Sequence, residues 1–195
     1  MDRDEAADKL LDTAEALFYE RGIQAVGMAE LRTASGVSLK RFYQCFASKD
    51  ELVEAYLRRR DARWLAALAA HVERSGEQPV LAVFDRLHEW FGEPGFRGCA
   101  FLNSFGELGG VAPAVAEIAR EHKRALHDYL RELTERLDVA DPGRLAEQLL
   151  ILVEGAIATA AVHGRADAAR AARSAAAALV DAAPRERVTG ATIQY

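Results

Sequence analysis

The chain has 195 residues, half of them apolar and 28% charged, with a formal net charge of −5. That composition fits one globular domain, or a small module joined to a larger one, and excludes disorder. The acidic balance excludes wholesale attraction to nucleic acid or to an anionic membrane, so any anion binding has to be local. Two cysteines, Cys45 and Cys99, make neither a disulfide framework nor a zinc site of familiar spacing, and a reducing cytoplasm is the expected compartment. The N-terminal MDRDEAADKL lacks the apolar core of a signal peptide.

In chain order, Ala7, Leu10, Leu11, Ala14, Leu17 and Phe18 recur at helical spacing, and Gly22 follows as a stop. A second helix is expected over Met28–Ser35, broken by Gly36. Ser38 caps a third, reaching about Phe46, because its hydroxyl can take an orphan amide proton of the next turn. Ser48 caps a long fourth helix, with Asp50 and Glu51 in its first turn, ending near Ser75-Gly76. An amphipathic helix follows from Pro79 to Phe91. The stretch EPGFRGCAFLNSFGELGG reads as a loop around one short helix. Residues 114–138, 142–163 and 166–183 complete the helices, the last rich in alanine, and residues 184–195 form a polar tail. No useful segment alternates apolar and polar residues, so the fold class is all-α.

Gly36 and Val37 join two short helices, which is the helix-turn-helix pattern. Phe42 and Phe46 stand four residues apart and can anchor the second of these helices to the first of the pair and to Phe18. Leu39, Lys40, Tyr43 and Gln44 are left on or near the opposite face, with Arg41 at its flank. From Leu31 to Lys49 there are four basic residues (Arg32, Lys40, Arg41, Lys49) and no acidic one. Gln can pair with adenine and Arg or Lys with guanine, whereas a Tyr hydroxyl and Lys49 suit phosphates. Cys45 sits in this stretch as either an oxidation sensor or a small packed residue.

Residues 10–57, through LLDTAEALFYERGIQAVGMAEL and ASGVSLKRFYQCFASKDELVEAYL, resemble the DNA-binding domain of the tetracycline-repressor (TetR) family of bacterial regulators. The resemblance implies a homodimer whose three N-terminal helices, 1–48, bind double-stranded operator DNA. A larger helical domain, 49–183, would bind a small-molecule effector and dimerise. It puts Tyr43 and Lys49 on phosphate-contact positions, with Leu39, Lys40, Arg41 and Gln44 towards bases or the groove edge. Arg32 and Ser38 complete the expected DNA contacts. Lys40-Arg41 departs from the family's frequent Gly-Thr pair, adding charge and bulk near the DNA.

The segment RGCAFLNSFGEL resembles a stretch beside the ligand cavity of some relatives. Aromatic residues are dense around it, and either wall a cavity or fill a core. The candidate ligand residues are Trp64, Phe84, His88, Trp90, Phe91, Phe101, Asn103, Phe105, Glu107, His127 and Glu154. Glu154 interrupts the most apolar run of the chain, Leu149 to Val162, expected to be a core or interface helix rather than a membrane span. It could meet a polar ligand, pair across a dimer, or reach solvent. Small residues from Gly155 onward suit close helix contact, and dimerisation is assigned to about 144–182, the last two long helices, as the family implies.

No cofactor or metal is expected. A di-iron bundle needs paired Glu-x-x-His motifs, and the nearest match is Asp85 with His88. Ser104 lacks the glycines of a nucleophile elbow. The sequence therefore reads as a ligand-responsive regulator, most simply a repressor. Redox sensing through Cys45 and a helical-bundle enzyme are the alternatives.

Overall fold

A computed structural model describes residues 2–76 and 78–185, and among these nine helices and no strand occur. Residues 186–195 of the expected polar tail lie outside the described residues. The helices are α1 (Arg3–Arg21), α2 (Met28–Ser35), α3 (Leu39–Cys45), α4 (Lys49–Ser75), α5 (Pro79–Phe91), α6 (Ala100–Leu108), α7 (Pro113–Glu135), α8 (Pro142–His163) and α9 (Asp167–Ala182).

The described residues fall into two compact units. The first gathers those of Met1–Ala70 and Glu93–Arg124, and the second those of His71–Gly92 and Ala125–Tyr195. The boundary expected at 48/49 followed a motif edge, whereas compactness puts α6 and the first half of α7 with the N-terminal helices.

In the first unit, Asp2 caps α1 by accepting from the Glu5 amide at 2.8 Å. Ala6, Leu10, Ala14 and Phe18 form its buried stripe, four residues apart. The helix ends at Gly22, whose φ of +88° is a left-handed conformation that suits glycine. Leu31 is the buried anchor of α2, and Gly36, at φ +66°, turns the chain towards Val37 and α3. Phe18 meets the buried Tyr56 of α4 edge to face, with ring centroids 5.7 Å apart. Burial pushes the Tyr56 hydroxyl above the ordinary phenol range.

In the second unit α9 packs against both α5 and α8. Val80, Phe84, Leu87 and Phe91 form the buried face of α5. Ala169, Ala172 and Ala176 are the buried face of α9, small enough for close approach. Asp141 caps α8 through the Arg144 amide at 2.9 Å. The third long helix stops at Glu135 rather than near 138. There the Leu137 amide bonds back to the Thr134 carbonyl (3.0 Å), a tight last turn, and the Thr134 hydroxyl donates to the Pro142 carbonyl (2.9 Å).

Candidate nucleic-acid interface

The third helix is only seven residues long, too short to be stable alone, so its neighbours must hold it. Ser38 caps it, its Oγ accepting from the Arg41 amide at 3.3 Å. Phe42 is fully buried and Phe46 nearly so, with ring centroids 6.3 Å apart, and the Phe42 ring also meets Tyr43 edge to face at 5.5 Å. The Cys45 thiol donates to the Arg3 carbonyl at 3.5 Å, tying the end of α3 to the start of α1. With one face so committed, Leu39, Lys40, Tyr43 and Gln44 are exposed and Arg41 is half-buried. Leu39 and Tyr43 keep 48% and 52% of their surface in water, unusual for residues of their size. Arg32 of α2 is exposed as well.

Lys49 is placed differently from these cations. Its ammonium donates to the Ile23 carbonyl at 2.6 Å and lies 5.7 Å from the Phe18 ring centroid. Burial lowers its pKa, against the opposing pull of Asp50 and Glu107. One of its three donors is thus spent on holding the α1–α2 turn to the start of α4. The first turn of α4 is itself closed on both sides. Ser48 Oγ accepts from the Glu51 amide at 3.1 Å, and the Glu51 carboxylate accepts from the Ala47 amide. A proline at position 47 would have no proton to give there.

A second anchorage reaches the α1–α2 turn from α6. Glu107 accepts from the amides of Ile23 (3.2 Å) and Gln24 (2.9 Å), and Gln24 Nε2 donates to the Glu107 carbonyl at 2.6 Å. A Cβ on Gly22 would stand 3.0 Å from the Glu107 carboxylate, a second reason for glycine there. Nearby, the Tyr19 hydroxyl donates to the Gly98 carbonyl (2.8 Å) and accepts from the Arg97 amide (2.9 Å). The Arg60 guanidinium lies 3.9 Å from the Tyr19 ring centroid. Sequence reasoning missed this clasp, since its partners are 78 to 84 residues apart and show no local pattern.

The eleven candidate ligand residues are divided between the units. Trp64, Phe101, Asn103, Phe105 and Glu107 belong to the first, and Phe84, His88, Trp90, Phe91, His127 and Glu154 to the second. In the first, Glu107 is engaged by backbone amides, as described, and Asn103 donates from Nδ2 to the Arg97 carbonyl at 2.9 Å. Phe101 is buried and stacks on the His122 ring, centroids 3.7 Å apart, while Trp64 meets that ring edge to face at 5.4 Å. Phe105 is exposed. His122, which is buried and pairs with Asp61 at 2.7 Å, is a polar centre outside the candidate ligand residues.

In the second unit Phe84, Trp90 and Phe91 are buried. His88 donates from Nδ1 to the Ala166 carbonyl at 3.1 Å. His127 Nδ1 stands 3.5 Å from its neighbour Asp128, and Glu154 is half-buried on α8. Among the described residues no group of three or more His, Cys, Asp or Glu is arranged to hold a metal.

Residues 10–56 match the family model described as "Bacterial regulatory proteins, tetR family", and residues 76–176 match "Tetracyclin repressor-like, C-terminal domain". The chain is similar to the HTH-type transcriptional regulator YjdC of Escherichia coli (strain K12), 27% identical over 108 residues. That match spans 55% of this chain and only 56% of YjdC, little more than half its length. It is similar also to the HTH-type transcriptional repressor ComR of the same organism, 28% identical over 159 residues, 76% of each chain. Among solved structures it resembles SCO4454, a TetR-family transcriptional regulator from Streptomyces coelicolor. The TM-score is 0.84 at 29% identity, covering 91% of this chain and 89% of that one.

Proposed function

The chain belongs to the tetR family of bacterial regulatory proteins, and from that premise we propose that it is a repressor that binds a palindromic operator as a homodimer and leaves it on binding a small molecule. The observation that carries this reading is α3, pinned on one face by Phe42 and Phe46 and exposing Leu39, Lys40, Tyr43 and Gln44 on the other. Gln44, Lys40 and Arg41 take base-edge roles, and Tyr43, Ser38 and Lys49 take phosphates, with Arg32 flanking. Leu39 supplies apolar contact at the groove edge. ComR, named a repressor, aligns over 76% of this chain and supports repression, whereas FasR, named an activator, aligns over 29%. The effector binds among the helices of 60–165, and its coupling to DNA is worth about 1–3 kcal/mol. The work is done in the cytoplasm, where the operator is.

The dimer reading draws on α8. Ile151 and Val162 keep 70% and 80% of their surface exposed, and Gly155 and Ala158 between them are exposed too. At spacings of four, three and four residues these form one apolar stripe. By length and composition α8 could also cross a membrane, but only on those grounds. An exposed stripe on a helix of small residues fits pairing with the same helix of a second copy. Two copies would set two recognition helices about one turn of DNA apart, or a multiple of that.

The test is the mass in solution by light scattering. The wild type is expected at twice 21.3 kDa, and Ile151→Glu with Val162→Glu at 21.3 kDa, with palindrome retardation lost in the double variant. A double variant that stays dimeric would remove the stripe from the interface.

A further inference from the structure

We propose that the groove between α6 and α7 is a binding site for a small amphipathic anion, an apolar body bearing a carboxylate or sulfonate. The groove, open to solvent, has a volume of about 420 Å³ and is lined by Leu102, Phe105, Ala119, Arg120, Lys123 and Arg124. A volume of that size holds a small organic molecule. Its floor and rim differ in character. Leu102 and Phe105 keep 51% and 42% of their surface in water, apolar area whose burial would be favourable. The other wall presents three cations and no acid. Long basic side chains lay their methylene stems along apolar surface and keep the charge at the edge, which suits an amphiphile.

Glu117, outside the lining, orders two of these groups. Its carboxylate accepts from Arg124 at 2.7 Å and from Arg120 at 3.2 Å. Lys123 Nζ reaches Cys99 Sγ at 3.4 Å, at the N-terminus of α6. A ligand anion on this rim would therefore meet positioned cations, and charge-assisted hydrogen bonds to them are the strong kind. A neutral apolar ligand would use the floor alone.

The place matters for regulation. The same short helix, α6, carries Glu107, whose carboxylate holds the amides of Ile23 and Gln24 next to the DNA-reading helices. Packing a ligand against Leu102 and Phe105 acts on that helix directly. This consequence rests on the repressor reading; the binding itself does not.

The probe is 8-anilino-1-naphthalenesulfonate, with N-phenyl-1-naphthylamine as its neutral counterpart, each titrated by fluorescence without DNA. The sulfonate is expected to saturate at one per chain and to bind at least several-fold tighter than the amine. Arg120→Gln with Lys123→Gln should weaken it roughly tenfold and leave the amine unchanged. Leu102→Glu should weaken both, with the thermal transition and the solution mass unaltered. Equal affinity for the two probes, or sulfonate binding indifferent to the charge variants, would overturn the site. Loss of dimer mass in Leu102→Glu would overturn it in favour of a contact between copies. Failure of the wild type to bind any operator would instead count against the repressor reading, leaving the titrations to stand or fall by themselves.

Discussion

Replacing Phe42 by alanine is expected to lower stability by about 3–5 kcal/mol and to abolish DNA binding. The ring is fully buried, and it contacts Phe46 on one side and Tyr43 on the other. A seven-residue helix has no stability of its own, since its nucleation is unfavourable and only a few bonds follow. Truncation leaves a cavity where α3 is fastened by its largest fully buried side chain, next to Phe46. Native domains hold about 5–15 kcal/mol in all, so a large share of that margin goes. Phe42→Leu, closer in volume, is expected to lose less than half as much. Denaturant unfolding gives the stability, and hydrogen exchange at the amides of 39–46 locates the loss. A Phe42→Ala protein within 1 kcal/mol of wild type, binding DNA normally, would mean that α3 is held by something other than its aromatic face.

The second large effect separates reading from gripping. Gln44→Ala should cost about 1–3 kcal/mol against the preferred base at one operator position and little elsewhere. Tyr43→Ala should weaken binding on every sequence by a similar factor while leaving the salt slope unchanged, since its hydroxyl carries no charge. It should cost at most about 1 kcal/mol of stability with the lost contact to Phe42. Both side chains are exposed, so neither substitution opens a cavity. Lys49→Ala belongs to a third kind. It removes the charge proposed to reach a phosphate and also the bond from Nζ to the Ile23 carbonyl, so weaker binding and a flatter salt dependence should come with a lower unfolding midpoint. Retardation on a set of single-base operator variants, at two salt concentrations, distinguishes the three. Equal losses by Gln44→Ala and Tyr43→Ala on all sequences would count against this division of roles.

The local grammar of the chain was legible because each signal acts within one turn. Gly22 ends α1, and Ser38 and Ser48 begin α3 and α4, through bonds of three or four residues' span, while Gly36 ends α2 by its positive φ. The i, i+4 pair of Phe42 and Phe46 picked the buried face of α3 for the same reason. What the sequence hid was tertiary. Lys49 looks like any surface lysine until Ile23 is brought beside it, and Glu107 looks like a pocket carboxylate until the amides of Ile23 and Gln24 close on it. The aromatic residues from Phe84 to Phe105 are dense along the chain, yet they fall in two units, because α5 and α6 belong to different cores. The His122–Asp61 pair, 61 residues apart, left no pattern at all.

Selection of DNA by the purified protein from a random duplex pool, at low and high salt, tests the central claim most directly. The account predicts enrichment of an imperfect palindrome, with half-sites about one helical turn apart or a multiple of it, and weaker retention as salt rises. Gln44→Ala should shift one position of the recovered motif in both halves. Failure of any sequence to enrich, with wild type and Tyr43→Ala retained alike, would contradict the assignment of α3 as the reading helix.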